Sequence, residues 1–189
     1  MRAPPPGNSR RLFFALWPEA RARRALASAA AAAVAASGGR AVPEANLHLT
    51  LAFLGAVEAA RIEELAALGR AVAARASALT LDFEALERWR RARVLCAPGT
   101  GAGAAAAGEL AAVLRDATLA RGFSPDLKPF RVHVTVARKV VRAPLAALLV
   151  RVRWRCDTLA LVESRGGQAL YSVLDAQPLG RTEKVSKQG

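Results

Sequence analysis

Two short stretches of the chain alternate polar and apolar residues with the period of a β-strand. The first reads "LHLTLAF" at residues 47–53, and the second reads "RVHVTVAR" at residues 131–138. Successive side chains of a strand point to opposite faces, so the histidine and threonine of each stretch share a face. The polar faces would carry His48, Thr50 and Ala52 in the first stretch and His133, Thr135 and Ala137 in the second. The opposite face of the first stretch would carry Leu47, Leu49, Leu51 and Phe53. We therefore expect two half-buried strands whose polar faces line a cleft.

Apolar periodicity and turn residues predict further elements around these strands. Strands are predicted at residues 11–17, 79–86 and 93–97, followed by a hairpin of residues 154–162 and 169–174 that turns at Arg165-Gly166-Gly167. Helices are predicted at residues 19–36, from Glu58 onward, and at about 109–121. The glycine-rich stretch 99–108 has neither of the glycine motifs that bind phosphate, which favours a flexible linker.

The two halves of the chain follow the same order of strand, helix, His-x-Thr strand, helix and strand. The two histidines, the only ones in the chain, lie 85 residues apart at positions 48 and 133. A duplicated unit predicts two lobes related by a pseudo-twofold axis, with the motif strands facing each other across one cleft. We expect a single domain over residues 11–176, with residues 1–10 and 177–189 as flexible tails.

Composition limits the class of partner. The chain carries 28 Lys and Arg against 15 Asp and Glu, a net charge of +13, which favours an acidic partner, nucleic acid above all, or an anionic membrane surface. Cys96 and Cys156 are too few for a disulfide framework and have no zinc-like spacing to the histidines, so buried free thiols are expected. The apolar run after Arg10-Arg11 ends at Pro18, and the alanine run 29–36 is too short to cross a bilayer. We predict a cytoplasmic monomer with no membrane association and no obligate protein partner.

The two histidines indicate acid–base chemistry. Histidine has an unperturbed pKa of about 6.5, so it both donates and accepts protons near neutrality. Two histidines on opposite walls of a cleft suit in-line displacement at phosphorus, one taking a proton from the attacking oxygen and the other giving one to the leaving oxygen. The threonine hydroxyls can donate hydrogen bonds to the non-bridging oxygens. This arrangement requires neither a metal nor a cofactor.

Four sequence blocks resemble the 2H phosphoesterases, specifically the bacterial RNA 2',3'-cyclic phosphodiesterases also known as 2'-5' RNA ligases. The blocks "RLFFALWP", "NLHLTLAFLG", "KPFRVHVTVAR" and "LALVESRGGQALYSVL" occur in the family's order, from Arg11 to about Leu174. The resemblance implies an α+β bilobal fold with antiparallel sheets around the cleft and helices on the outside. It also implies that RNA 2',3'-cyclic phosphate ends are hydrolysed to 2'-phosphomonoesters. One departure is Val132, since the family usually has proline before the second histidine.

The resemblance also implies roles for particular residues. His48 would be the proton donor to the leaving 3'-oxygen and His133 the proton acceptor that activates water, while Thr50 and Thr135 would hold the phosphate. Further candidates for substrate binding are Arg131, which shares the face of His133, Arg138, which ends the motif on the opposite face, and the aromatic residues Phe14 and Tyr171. Core packing would equally explain the two aromatic residues, and a solvated strand end would explain Arg138. The run "ERWRRAR" at residues 87–93 is either an RNA-binding rim or an exposed turn.

Two other functions fit the same residues. An RNA ligase would run the same chemistry in reverse and join a 2',3'-cyclic end to a 5'-hydroxyl. A non-catalytic RNA- or nucleotide-binding module would keep the fold without turnover. Hydrolysis is preferred because water is abundant and both histidine–threonine pairs are intact.

Overall fold

The strands of the protein form three antiparallel sheets. The computed structural model describes residues 8–144, 148–165 and 171–180. In chain order the strands are β1 (Ser9–Leu16), β2 (Arg40–Ala41), β3 (Leu49–Glu58), β4 (Leu79–Ala85), β5 (Glu87–Trp89), β6 (Val94–Pro98), β7 (His133–Arg138), β8 (Leu148–Cys156), β9 (Thr158–Ser164) and β10 (Tyr171–Pro178). The helices are α1 (Ala20–Ala36), α2 (Ile62–Ala73) and α3 (Gly103–Leu119), with single 3₁₀ turns at Glu44–Asn46 and Ala59–Arg61.

The sheet order brings the two motif strands together. One sheet has the order β10-β9-β1-β3, a second has the order β2-β7-β6-β5, and β4 pairs with β8 in the third. The first His-x-Thr motif enters the edge strand β3, the second lies at the start of β7, and β3 contacts β7 directly. The prediction of an α+β fold with antiparallel sheets around a central cleft is confirmed.

The helices cover the apolar faces of the sheets. Helix α1 buries Leu26, Ala30 and Val34, which are spaced four residues apart and so form one stripe. Trp154 of β8 is fully buried beneath this helix, and its indole N–H donates to the Ala22 carbonyl at 2.8 Å. Helices α2 and α3 pack against each other and against the first sheet, and α3 also contacts β4 of the third. No helix in the described part of the chain is long and apolar enough to cross a membrane.

Two of the predicted elements differ from the structure. Helix α3 begins at Gly103 and not near residue 109, so the second half of the predicted flexible linker is helical. The alanines at 104–107 have high helix propensity, which outweighs Gly108. The predicted strand 154–162 is two strands, β8 and β9, which belong to different sheets on either side of Asp157.

The repeat and the domain boundaries also need correction. The described residues between β7 and β8 contain no helix, so the predicted counterpart of α2 is not found in the described part of the second half. Strand β1 already begins at Ser9 and β10 continues to Pro178, which shortens both predicted tails; the remainder of each lies mostly outside the described residues. The antiparallel pairing of β9 with β10 confirms the predicted hairpin, but its glycine turn lies outside the described residues.

Candidate active site

A β-bulge follows the histidine and threonine in each motif strand. Thr50 is opposite Ala15 and Ala52 is opposite Phe14, which leaves Leu51 as an extra residue in β3. Strand β7 repeats this against β6, where Thr135 is opposite Cys96 and Ala137 is opposite Leu95, which leaves Val136 unpaired. The two bulges lie 85 residues apart, the same offset as the histidines. They are therefore equivalent features of the two lobes.

Each bulge changes which side chains reach the cleft. An extra residue shifts the alternation by one position, so side chains beyond it exchange faces. Ala52 and Ala137, predicted on the polar faces, are buried in the core. Phe53 and Arg138, predicted on the opposite faces, both line the pocket that contains the histidines. The simple alternation predicted from the sequence is correct only up to each bulge.

His48 is held by one backbone and one side-chain contact. Its Nδ1 lies 2.7 Å from the Asn46 carbonyl oxygen, which can only accept, so Nδ1 carries the proton in the neutral ring. Its Nε2 lies 3.1 Å from the Thr50 hydroxyl, which then donates to it. The ring stacks with Phe13 and Trp17, with centroids 4.9 and 5.3 Å away, and meets the edge of Tyr171 at 5.0 Å. These contacts fix the ring and remove it from most of the solvent.

His133 is held in the same way but with fewer neighbours. Its Nδ1 lies 2.7 Å from the carbonyl oxygen of Arg131, again two residues earlier in the chain. Its ring is tilted against Trp89, with 4.4 Å between the centroids. In both lobes a backbone carbonyl therefore accepts the Nδ1–H, so Nε2 is the ring nitrogen that faces the pocket chemistry; in His48 it accepts from the Thr50 hydroxyl.

Both histidines favour the neutral form in the unliganded site. Burial, together with smaller repulsion from the positive charge of Arg138, lowers the pKa of His48 to about 4, although the hydrogen bond to the Asn46 carbonyl acts in the opposite direction. Burial also lowers the pKa of His133, with additional repulsion from Arg131 and Arg138. A bound anionic phosphate would oppose these effects, because it favours the charged imidazolium.

The two lobes contribute to one pocket. Its lining includes both histidines and both threonines of the motifs, together with Phe13, Val42, Asn46, Phe53, Arg138, Ser164 and Tyr171. The Arg138 guanidinium donates to the Tyr171 hydroxyl at 3.2 Å, so the predicted candidates from β7 and β10 meet there. Arg138 is exposed and brings a positive charge next to both histidines.

Two predicted candidates do not reach the pocket. Phe14 is 1% exposed and packs against Gly69 of α2 in the main core, so it is not available to stack on a base. Arg131 pairs with Glu87 at 2.9 Å, and its guanidinium lies over the Trp89 ring at 4.6 Å. The Arg131 side chain is thus engaged at the edge of the site, whereas its carbonyl holds His133.

Glu87 connects the two supports of His133. Its Oε2 accepts from the Trp89 indole N–H at 3.0 Å and from the Arg131 guanidinium at 2.9 Å. Trp89 contacts the His133 ring, and the carbonyl of Arg131 accepts from it. No sequence pattern singled out Phe13 or Trp17, and Glu87 and Trp89 were candidates only as part of the basic run 87–93, because their roles depend on contacts between distant parts of the chain.

We expect NMR titration of the imidazoles in the untagged protein to show both midpoints below 6.5, with His48 near 4. Glu87→Gln should lower the His133 midpoint further and leave that of His48 unchanged, because the positive charge of Arg131 then loses its counter-ion. The control is Glu84→Gln, which removes a carboxylate paired with Arg151 on a different sheet. An unchanged or higher His133 midpoint in Glu87→Gln would contradict this.

The cysteines lie outside the chemistry of the pocket. Cys96 and Cys156 are buried free thiols, as predicted. The Cys96 sulfur lies 3.8 Å from the Thr135 hydroxyl, but burial raises its pKa to about 11. It therefore remains a thiol and supports Thr135 by packing.

The turn into β7 is fixed without the proline that is usual in the family. Val132 stands at that position, and its carbonyl accepts from the Gly99 N–H at 3.0 Å. The Val132 side chain also lies so close to Gly99 that a Cβ there would meet its Cγ1 at 2.6 Å. Packing and a backbone hydrogen bond thus position the residue before His133.

The family is established by comparison with known proteins. The family model of the 2'-5' RNA ligase superfamily matches residues 15–168. The chain belongs to this superfamily, and the resemblance to the 2H phosphoesterases is confirmed.

Individual relatives cover most of the chain. The RNA 2',3'-cyclic phosphodiesterase of Escherichia coli is 34% identical over 133 residues, 70% of this chain and 74% of that protein. The protein of the same name from Thermus thermophilus is 31% identical over 180 residues, 87% of this chain and 88% of that protein. The crystal structure of E. coli LigT complexed with 3'-AMP superposes with a TM-score of 0.79 at 28% identity and covers 90% of this chain and 98% of that chain.

Proposed function

We propose that this protein is an RNA 2',3'-cyclic phosphodiesterase that hydrolyses 2',3'-cyclic phosphate ends to 2'-phosphomonoesters. The observation that carries the proposal is the matched pair of histidines, each next to a threonine and each held through Nδ1, in one pocket between two lobes. The names of the E. coli and T. thermophilus relatives support the same activity. The net charge of +13 suits an RNA substrate.

In the proposed reaction, a water molecule attacks phosphorus while the bond from phosphorus to the 3'-oxygen breaks. Nε2 of His133 takes the proton from the attacking water, and His48 gives a proton to the 3'-oxygen as it leaves. The product carries a 2'-phosphate and a 3'-hydroxyl, and proton exchange with solvent restores both histidines. General acid–base catalysis of this kind contributes about 10² to 10⁴-fold for each group.

The other polar groups of the pocket would bind the phosphate. The hydroxyls of Thr50 and Thr135 donate to the non-bridging oxygens, where negative charge builds up in the transition state. Arg138 lies in the same lining and supplies a fixed positive charge. Tyr171 is the candidate that remains for contact with the ribose or the base.

The role of His48 requires that substrate binding changes its protonation. A proton donor must be an imidazolium, whereas the pKa of about 4 makes His48 neutral at pH 7 in the empty pocket. The negative charge of the phosphate would raise this pKa when it binds beside the ring. The faces of Phe13 and Trp17 would also favour the cation. Protonation of His48 is therefore coupled to binding of the phosphate.

The product of one assay separates hydrolysis from its alternatives. A short RNA with a 2',3'-cyclic phosphate end is incubated with the protein, with and without a second RNA that has a 5'-hydroxyl. We expect a 2'-phosphate product in both cases, with no turnover by a variant that lacks both histidines. A joined RNA as the main product would indicate a ligase, and tight binding without turnover would indicate a binding module.

The same assay tests the prediction that catalysis needs no metal. Among the described residues, no group of three or more His, Cys, Asp or Glu side chains could hold a metal ion. Because the two histidines supply both acid and base, we expect the rate to be unchanged after EDTA treatment. Loss of turnover on chelation and recovery with a divalent ion would contradict the proposed mechanism.

A further inference from the structure

A group of basic side chains adjoins the pocket at one end of the second sheet. The backbone register places Arg40 opposite Arg138, Arg138 opposite Val94, and Val94 opposite Trp89. This row of residues crosses all four strands of the sheet, from β2 to β5. The turn between β5 and β6 connects its last two members, Trp89 and Val94. We call the exposed cations beside this row the basic rim; its members are Arg40, Arg90, Arg91, Arg93 and Lys139.

Two members of the basic rim adopt a backbone conformation that is unfavourable for their residue type. Arg93 and Lys139 have φ angles of +54° and +57°, and among the described residues they are the only non-glycine residues with positive φ. This conformation costs about 1 to 2 kcal/mol for a residue with a Cβ. The Val140 N–H donates to the Arg93 carbonyl at 2.9 Å and ties the two segments together. Cations thus occupy positions where glycine would be easier to accommodate.

No carboxylate of the described residues neutralises the charge of the basic rim. Within the described residues, no carboxylate lies within 4.0 Å of any of its five cations. The arginines of β8 differ, since Arg151, Arg153 and Arg155 all pair with acidic residues. The acid nearest in sequence to the turn, Glu87, is already bound to Trp89 and Arg131.

We propose that the basic rim binds the backbone phosphates of the RNA on the 5' side of its cyclic end. This inference rests on the proposed function. Arg138 belongs both to the pocket and to the row beside the rim, so a terminal phosphate in the pocket places the preceding nucleotides at the rim. Neighbouring strands lie about 4.8 Å apart, so rim cations on either side of β7 are within reach of the next one or two phosphates.

The occupant that the rim favours is single-stranded RNA. Phosphate contacts carry no sequence information, so the rim would increase affinity for any RNA of sufficient length. An anionic membrane would also be attracted to basic side chains. RNA is preferred because the rim is continuous with the pocket that would hold the cyclic end. The proposed substrate is therefore an oligonucleotide in preference to a mononucleotide.

The test compares two substrates in two charge-matched variants. The rim variant combines Arg90→Gln, Arg91→Gln and Arg93→Asn, because asparagine tolerates positive φ. The control variant combines Arg75→Gln, Arg115→Gln and Arg155→Gln, which remove the same charge from the turn after α2, from α3 and from β8. The substrates are a 2',3'-cyclic mononucleotide and a single-stranded hexanucleotide with a 2',3'-cyclic phosphate end.

We expect the rim variant to lose about tenfold or more in kcat/KM on the hexanucleotide at low salt and to keep its rate on the mononucleotide. The dependence of log kcat/KM on log salt should become shallower by about 2, since up to three phosphate contacts are removed. The control variant should match the wild type on both substrates. The same differences should appear in the affinity for a 2'-phosphate-ended hexanucleotide, which needs no turnover.

Several outcomes would overturn the inference. The inference is wrong if kcat/KM of the rim variant on the hexanucleotide equals that of the wild type or of the control variant. It is also wrong if the rim variant loses the same factor in kcat/KM on both substrates. Loss of binding to anionic lipid vesicles with unchanged turnover and affinity for the hexanucleotide would assign the rim to a membrane instead. If the wild type hydrolyses neither substrate, the proposed function fails, and the hexanucleotide affinities alone then decide on the rim.

Discussion

His48→Ala is expected to lower kcat/KM on an RNA 2',3'-cyclic phosphate by about 10² to 10⁴-fold, the usual contribution of a general acid. The same variant should recover much of this loss on a nitrophenyl phosphodiester. Nitrophenol leaves as a stable anion that needs no proton, whereas a ribose 3'-oxygen requires one. The importance of a proton donor therefore depends on the leaving group.

His133→Ala should be poor on both substrates, because water must be activated whichever group leaves. The measurement is kcat/KM for both variants and the wild type on both substrates, converted to differences in transition-state free energy. Thermal unfolding of each variant checks that the fold is kept. Rescue of His133→Ala in place of His48→Ala would reverse the two roles. If neither variant is rescued, neither histidine acts as the acid.

The surroundings of His48 and His133 agree with the assignment of His48 as the proton donor and His133 as the base. His48 lies among three aromatic rings, whereas Trp89 is the one aromatic ring of the described residues that contacts the ring of His133. The lone aromatic contact leaves His133 more open to water, which suits a base that must activate a water molecule. The enclosed ring of His48 suits a donor that gains its proton only when the phosphate is bound. The roles themselves come from the family resemblance, so the two substrates are needed to test them.

The placement of the catalytic candidates was predictable because it depends on local alternation. In each motif the histidine is two residues before the threonine, so any strand places both on one face. Both histidines of the chain occur in this pattern at an offset of 85 residues, which indicated one site shared by two lobes. The structure brings all four side chains into one pocket.

The bulges were not predictable from the same pattern. Leu51 and Val136 are ordinary strand residues, and nothing in their type marks them as unpaired. Beyond them the alternation shifts, so Phe53 and Arg138 reach the pocket against the simple prediction. A bulge is decided by the partner strand, which a single segment of sequence does not contain.

Strand β1 shows a second limit of the alternation. Its residues from Leu12 to Leu16 are at most 3% exposed, because both faces of the strand are covered. An apolar run of this kind contains no signal for which side chain faces the pocket. Phe14 was a candidate, but Phe13 is the residue that stacks on His48. The error follows from burial on both sides, which removes the polar face that guides such a prediction.

Arg131 illustrates a third limit, which is competition between partners. Its position in the strand pattern suggested a phosphate ligand, but its guanidinium pairs with Glu87, 44 residues away. Such a contact depends on the pairing of β5 with β6 and of β6 with β7. The carbonyl of Arg131, which no sequence pattern singled out, is the group that contacts His133.

The largest effect on stability is expected at Gly103, the first residue of α3. An ideal Cβ at this position would lie 2.1 Å from the carbonyl oxygen of Thr80 and 2.8 Å from its carbonyl carbon. These are backbone atoms of β4, so no side-chain rotation relieves the clash. Reciprocal hydrogen bonds between Thr100 and Asp82, of 2.8 and 3.2 Å, hold the preceding segment against the same strand. Gly103 is thus required by packing, although the sequence suggested a linker.

We expect Gly103→Ala to lower the free energy of unfolding by about 3 kcal/mol, the upper range for overpacking a buried site, because α3 must move away from β4. Gly108→Ala in the same helix is the matched control, since nothing lies within 4 Å of a Cβ there. That change should instead stabilise the protein by about 0.5 to 1 kcal/mol through helix propensity. Urea unfolding followed by circular dichroism measures both, and similar slopes would show that the unfolded states are comparable. If Gly103→Ala were neutral or stabilising like Gly108→Ala, the close packing of α3 on β4 would be wrong.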